Sequence, residues 1–162
     1  MKTSERPKLS FDRTFQASPE EVWELWTTKD GIESWWGPEG FSVTVRSLDL
    51  RPGGDLRYSM SAVRAAEIEF MVKAGMPVTT EHRRIFTEVS PARRLAYRES
   101  VDFVPGVEPY DVHVEVDFTP VADGVRIVVT FDPMHDDRWT EMARLGRESE
   151  LDRLAKVLAA RQ

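Results

Sequence analysis

His82, His113 and His135 are the only imidazoles in the 162-residue chain, and there is no cysteine. Without a thiol, thiolate nucleophiles, cysteine-ligated metals and disulfides are excluded. The three histidines fall in separate segments and lack the i, i+4 spacing that sets two imidazoles on one helix face, so no metal site is expected. His135 is followed directly by Asp136 where a helical run begins. An imidazole poised against a carboxylate can act as a general base, which makes His135 and Asp136 the candidate catalytic pair. The plainer reading of the same aspartate is a helix cap that suits the positive end of the helix dipole. Asp111, His113, Glu115 and Asp117 alternate with Val112, Val114, Val116 and Phe118, the pattern of a strand with one face in water. No Ser-His-Asp order, phosphate-cradling glycine loop or nucleotide fingerprint occurs, because Arg51-Pro52-Gly53-Gly54 is a hairpin turn and not a strand-to-helix loop. No cofactor is expected.

The aromatic side chains, five Trp, three Tyr and eight Phe, carry the stronger signal. Trp23 and Trp26 share one face of an amphipathic helix and read as core. Trp35 and Trp36 are adjacent and cannot point the same way, so one is expected to pack inward and the other to face a cavity mouth or a partner. Phe41, Tyr58, Met60, Phe86, Tyr97, Phe118 and Phe131 fall on inward positions of strands and converge with Trp139 and Met142 from a terminal helix. If they fill the space between sheet and helix they are core; if it stays open they line a pocket for flat or apolar molecules, with Tyr58, Tyr97 and His135 as orienting polar groups. Gly146, inside that helix, costs about 1 kcal/mol relative to alanine. It implies either a close approach of helix to sheet or space kept for something else.

These residues must be positioned by one domain, since 162 residues leave no room for a second core. Residues 1–8 read as a charged, disordered N-terminal tail and 9–162 as the domain. The net charge of −6 without a basic stripe disfavours nucleic acid as a partner. The longest apolar run, Val157 to Ala160, is far too short for a membrane span, and the amino end lacks a signal-peptide core. No membrane partner is expected, and the location expected is cytoplasmic.

Period-two alternation begins at Leu9 and gives a first strand through Phe15. Ser18-Pro19-Glu20-Glu21 is a capping box with proline at the first helical position, and Asp30-Gly31-Ile32-Glu33 has the spacing of a second cap. Two short helices result, the second ending at Trp35-Trp36-Gly37-Pro38. Strands follow from Phe41 and from Leu56, joined at Arg51-Pro52-Gly53-Gly54. Residues 61–77 form a buried or lid-like helical insertion closed by Gly75 and Pro77. Strands over His82–Val89, Leu95–Phe103 and Tyr110–Pro120 come next, and then a hairpin at Asp123-Gly124, a pair that accepts the positive φ of a primed turn. A last strand and a helix over Asp136–Ala160 complete an α+β chain with seven antiparallel strands. Only the terminal helix is long enough to cover the sheet.

The sequence resembles the START-like (helix-grip, or SRPBCC) superfamily, and within it the family named after the activator of the heat-shock protein 90 ATPase. The carrying residues are Pro19-Glu20-Glu21-Val22-Trp23 with Trp26, Trp35-Trp36-Gly37-Pro38-Glu39-Gly40-Phe41 and Leu50-Arg51-Pro52-Gly53-Gly54. Arg94-Leu95-Ala96-Tyr97, Gly146 and Glu148-Ser149-Glu150-Leu151-Asp152-Arg153-Leu154 also match. The resemblance implies a curved seven-stranded antiparallel sheet wrapped around the terminal helix, with an internal cavity for an apolar or aromatic small molecule. It implies no shared reaction. Binding of such a molecule is the leading expectation. A cyclase, aromatase or hydrolase using the same cavity is the second, and a co-chaperone-like protein contact or a homodimer through the insertion or the Trp35-Trp36 edge is the third.

Overall fold

In a computed structural model, residues 7–102 and 104–161 are described. The elements are β1 (Leu9–Phe15), α1 (Pro19–Thr27), α2 (Lys29–Trp35), β2 (Phe41–Leu48), β3 (Asp55–Ala62), α3 (Ala65–Lys73), β4 (Thr79–Ser90), β5 (Arg94–Val101), β6 (Tyr110–Val121), β7 (Gly124–Phe131) and α4 (Asp137–Ala160). The seven strands form one sheet in the order β1-β7-β6-β5-β4-β3-β2, and every pairing is antiparallel. This is the expected α+β helix-grip architecture. Register shifts between Val45 and Ser47 in β2 and between Phe86 and Glu88 in β4 are bulges of the kind that bend a sheet around whatever lies on its inner face. Of the tail expected over residues 1–8, residues 1–6 lie outside the described residues, and Lys8 bonds Asp132 at 2.9 Å. The end of the strand expected at Phe103 also lies outside them.

Local signals act much as their chemistry predicts. Ser18 Oγ accepts the Glu21 N–H at 3.0 Å and starts α1 behind Pro19. The second cap differs from expectation: Thr28, not Asp30, caps α2, its hydroxyl accepting the Gly31 N–H at 3.1 Å. Thr28 already ends α1 in an extended conformation, so one residue serves both helices and Asp30 falls in the first turn. The β6–β7 turn differs too. Its corner residues are Ala122 and Asp123, and neither they nor Gly124 has positive φ. Gly124 is required for a different reason, because a Cβ there would sit 1.9 Å from the Phe15 carbonyl oxygen of the neighbouring strand.

The core lies between the concave face of the sheet and α4, and α1 and α2 close one end of it. Leu151, Leu154 and Leu158 of α4 pack with Val22, Leu25 and Trp26 of α1, Ile32 and Trp35 of α2, and the inward valines of β6 and β7. At the other end the insertion contributes α3, of which Met71 alone is buried. It is a lid, not a buried helix. Ala62, Met71 and Met76 form a small apolar cluster of their own, backed by Phe41, Ala74 and Trp139.

Candidate functional site

Beneath α3 the sheet and the N-terminal half of α4 stand apart and leave a cavity of about 530 Å³. This lies within the range of small-molecule sites, roughly 300–1,000 Å³. Phe41, Met60, Val101, Val112, Phe131 and Met134 supply the sheet side, Trp139, Met142, Ala143 and Gly146 the helix side, and Phe70, Met71 and Met76 the lid. All five methionines after Met1 are among them. Methionine is unbranched and polarisable and adapts to irregular shapes. A Cβ built on Gly146 would meet nothing within 4 Å, so this glycine marks open space and not a close helix approach.

One end of the cavity is polar. Arg84 in β4 stands directly across from Glu99 in β5 and pairs with it at 2.7 Å. Arg147, from α4, pairs with the other oxygen of the same carboxylate. The Arg84 guanidinium lies 4.4 Å from the ring centroid of Trp36, 4.8 Å from Tyr97 and 5.4 Å from Tyr58. It also donates to the Tyr97 hydroxyl at 3.0 Å. Burial opposes ionisation of Glu99, but the two guanidiniums outweigh it and bring the carboxyl down to about 2. Glu150 beside them goes the other way: burial pushes its pKa up, and the arginines and the Gly37 amide only partly offset this. His82 stacks on Tyr58 with ring centroids 5.1 Å apart and has Nε2 2.6 Å from the Thr80 hydroxyl. Burial, then the nearby Arg84 charge, lowers its pKa to about 4, so the ring is neutral at physiological pH. Arg84 Nε, Arg147 Nε, Trp26 Nε1 and Trp36 Nε1 are buried without a hydrogen-bond partner among the described residues. All four residues border a second, much smaller void of about 20 Å³, room for one water.

The terminal helix holds the loop between α2 and β2 by its polar face. Arg153 donates to the carbonyls of Gly37, Pro38 and Phe41 at 2.8, 3.1 and 3.0 Å. Glu150 accepts the Gly37 N–H at 2.8 Å and Ser149 accepts the Glu39 N–H at 2.9 Å. Gly37 has φ of +86°, a conformation that strains any residue with a Cβ. The Trp-Trp-Gly-Pro run and the Ser-Glu-Leu-Asp-Arg run are therefore the two halves of one clamp. The sequence model of the family described as Activator of Hsp90 ATPase homolog 1-like protein matches residues 16–159 and takes in both. The chain belongs to that family, and with it to the SRPBCC superfamily. Solved structures agree in fold. A Chromobacterium violaceum protein superposes with TM-score 0.77 at 20% identity, over 94% of this chain and 97% of its own. The AHSA1 protein of Silicibacter pomeroyi gives 0.73 at 22% identity, over 96% and 100%. An AHSA1-like protein of Aeromonas hydrophila gives 0.71 at 23% identity, over 95% and 93%. No curated protein matches the sequence.

The expected ligand-binding residues divide into two groups. Phe41, Tyr58, Met60, Phe131, Trp139 and Met142 line the cavity. Trp35, Trp36, Phe86, Tyr97 and Phe118 do not. Trp35 meets Trp26 edge-on at 4.6 Å and donates to the Leu25 carbonyl, and Phe118 packs edge-on against Trp23 and Trp26. Phe86 packs edge-on against Tyr97. Trp36 and Tyr97 reach only the small void, where Arg84 separates them from the main cavity. The adjacent tryptophans are both buried, because the extended backbone at Trp36 turns its ring back under the sheet, and neither faces a mouth.

His135 and Asp136 are absent from the cavity lining. Asp136 caps α4, accepting the Trp139 N–H at 2.8 Å, and His135 Nδ1 lies 2.7 Å from the Tyr110 hydroxyl. The imidazole that does line the cavity is His82. The Arg84–Glu99–Arg147–Glu150 cluster was not foreseen, although the signal was present. Thr80, His82 and Arg84 run in phase with Phe86, Glu99 is in phase with Tyr97, and Arg147 and Glu150 lie one helical turn beyond Ala143 and Gly146. Among the described residues no three His, Asp or Glu side chains gather as a metal would require. No helix among them is long and apolar enough to cross a membrane.

Proposed function

We propose that this protein binds an apolar or aromatic small molecule in the cavity between the sheet and the N-terminal half of α4, with α3 as its cover. The observation that carries the reading is the open volume against Gly146, walled by aromatic rings and five methionines. A gap of this size between well-packed elements forfeits dispersion contacts on every wall, and a bound molecule restores them. Turnover has no comparable support, because the expected base, His135, is tied to Tyr110 outside the cavity. The test is a thermal-shift and native-mass screen against lipids, steroids and polycyclic aromatics. A true ligand at a free concentration a hundredfold above Kd stabilises by about 2.7 kcal/mol, and Gly146→Phe removes that shift while the far-UV spectrum is kept. Absence of any shift across the three classes overturns the reading.

The outer face of α3 favours a second role for the lid itself. Ile68 and Val72 are exposed there, Val72 by 64%, and Val63 and Val78, which flank α3 in sequence, are exposed as well. Exposed apolar side chains gathered on and around one helix can mark a protein contact, and the occupant proposed is a second copy of this chain. Light scattering after size-exclusion chromatography should give a dimer that Val72→Glu converts to monomer. A monomer at every concentration overturns it.

A further inference from the structure

Tyr58 is 3% exposed and lines the cavity; its hydroxyl makes no hydrogen bond to any described residue and is not among the sealed, unpartnered atoms, so it opens onto the cavity space. The ring is not free to turn elsewhere: it meets Trp36 edge-on at 5.4 Å, stacks on His82 at 5.1 Å, and has the Arg84 guanidinium 5.4 Å from its centroid. A donor is thus held in fixed orientation at the polar end of an otherwise apolar chamber.

We propose that the occupant of the cavity is a neutral molecule with an apolar body and a ketone-like carbonyl, and that the Tyr58 hydroxyl recognises that carbonyl. This rests on the binding reading above and adds the chemical class. Three observations disfavour charge at this position. Arg84 and Arg147 both bond the Glu99 carboxylate, so a ligand carboxylate would have to compete with Glu99 for them. A cationic ligand would meet the two guanidiniums. His82, the remaining titratable neighbour of the ring, is engaged with Thr80 and is neutral for the reason already given. Burial pushes the Tyr58 pKa upward, so the phenol keeps its proton and offers a donor that a carbonyl oxygen can take.

The test uses three probes with one ring system: acetylnaphthalene, ethylnaphthalene and naphthylacetate. Acetylnaphthalene should bind the wild-type protein roughly fivefold more tightly than ethylnaphthalene, the yield of one neutral hydrogen bond, and more tightly than naphthylacetate. Tyr58→Phe should abolish the ketone preference, bringing the Kd ratio of acetylnaphthalene to ethylnaphthalene to about one. An infrared measurement on the wild-type complex needs no variant: the carbonyl stretch of bound acetylnaphthalene should lie below its position in an aprotic solvent. Equal binding of ketone and hydrocarbon, a ketone preference that survives Tyr58→Phe, an unshifted carbonyl band, or tightest binding of naphthylacetate each overturns the proposal while leaving the cavity reading intact. Failure of all three probes to bind overturns both.

Discussion

The two halves of α4 face the same curved sheet and do opposite things with it. From Leu151 onward the helix presents Leu151, Leu154 and Leu158, all buried, into a continuous core closed by α1 and α2. Before that point it presents Trp139, Met142, Ala143 and Gly146 to open volume, under a lid with one buried residue. Between them lie Arg147 and Glu150, which meet Arg84 and Glu99 from the sheet. The charged cluster acts as a bulkhead: a fixed polar layer that neither the leucine core nor the cavity can spread across. The lesson is that a pocket here does not come from weak packing in general. It comes from one helix whose side chains interdigitate with the sheet over half its length and, Trp139 apart, are small, flexible or missing over the other half.

That contrast can be broken at either end. The largest effect is expected at Leu154, which is 0% exposed: Leu154→Ala should cost roughly 3–4 kcal/mol. Met142→Ala, on the cavity side, should cost under about 1 kcal/mol because fewer contacts are lost. Chemical denaturation of both variants checks this, and equal losses would mean that the two halves are packed alike. Next comes the bulkhead. Glu99→Gln leaves two buried guanidiniums without their carboxylate and should cost on the order of 3 kcal/mol.

Acid should act on the same layer in two windows. The folded-state pKa of His82 is depressed from 6.5 to about 4, so its contribution is fully present above pH 6.5 and is lost as pH falls toward 4. That of Glu99 is depressed from 4.5 to about 2, so its contribution is present above 4.5 and is lost on further acidification. Denaturation at a series of pH values should show both, and His82→Gln should flatten only the first. A smaller effect of opposite sign is expected at Gly146: with nothing near its Cβ position, Gly146→Ala should stabilise by about 1 kcal/mol, and a loss would show the helix to be closer to the sheet than described.

Much of this was legible in the chain because it is local. Alternation located the strands, and Ser18-Pro19 and Asp136 marked helix starts that the structure places within a residue. What escaped had two causes. The period-two reading followed apolar residues, so it took Phe86 and Tyr97 as inward and passed over Arg84 and Glu99, two residues away on the same face. A charge is read as solvated unless its partner is known, and the partners come from three different elements. Nor could alternation tell which inward aromatics would meet a helix and which would meet space. Phe118 and Phe131 share a phase and a composition, but Phe118 falls under α1 and Phe131 under the open part of α4. That difference is fixed by where α1 and α2 lodge, which no window of sequence contains.

The methionine lining has a consequence in redox chemistry. Met60, Met71, Met76, Met134 and Met142 border one chamber, and conversion of a thioether to its sulfoxide turns an apolar, flexible wall into a polar one. An oxidant small enough to pass the lid would therefore act on the chamber as a unit, raising its polarity at several points without touching the leucine core. A molecule seated inside would shield the same sulfurs. The extent of sulfoxide formation at these five positions, read peptide by peptide after brief peroxide treatment, then becomes an occupancy gauge built into the protein's own walls.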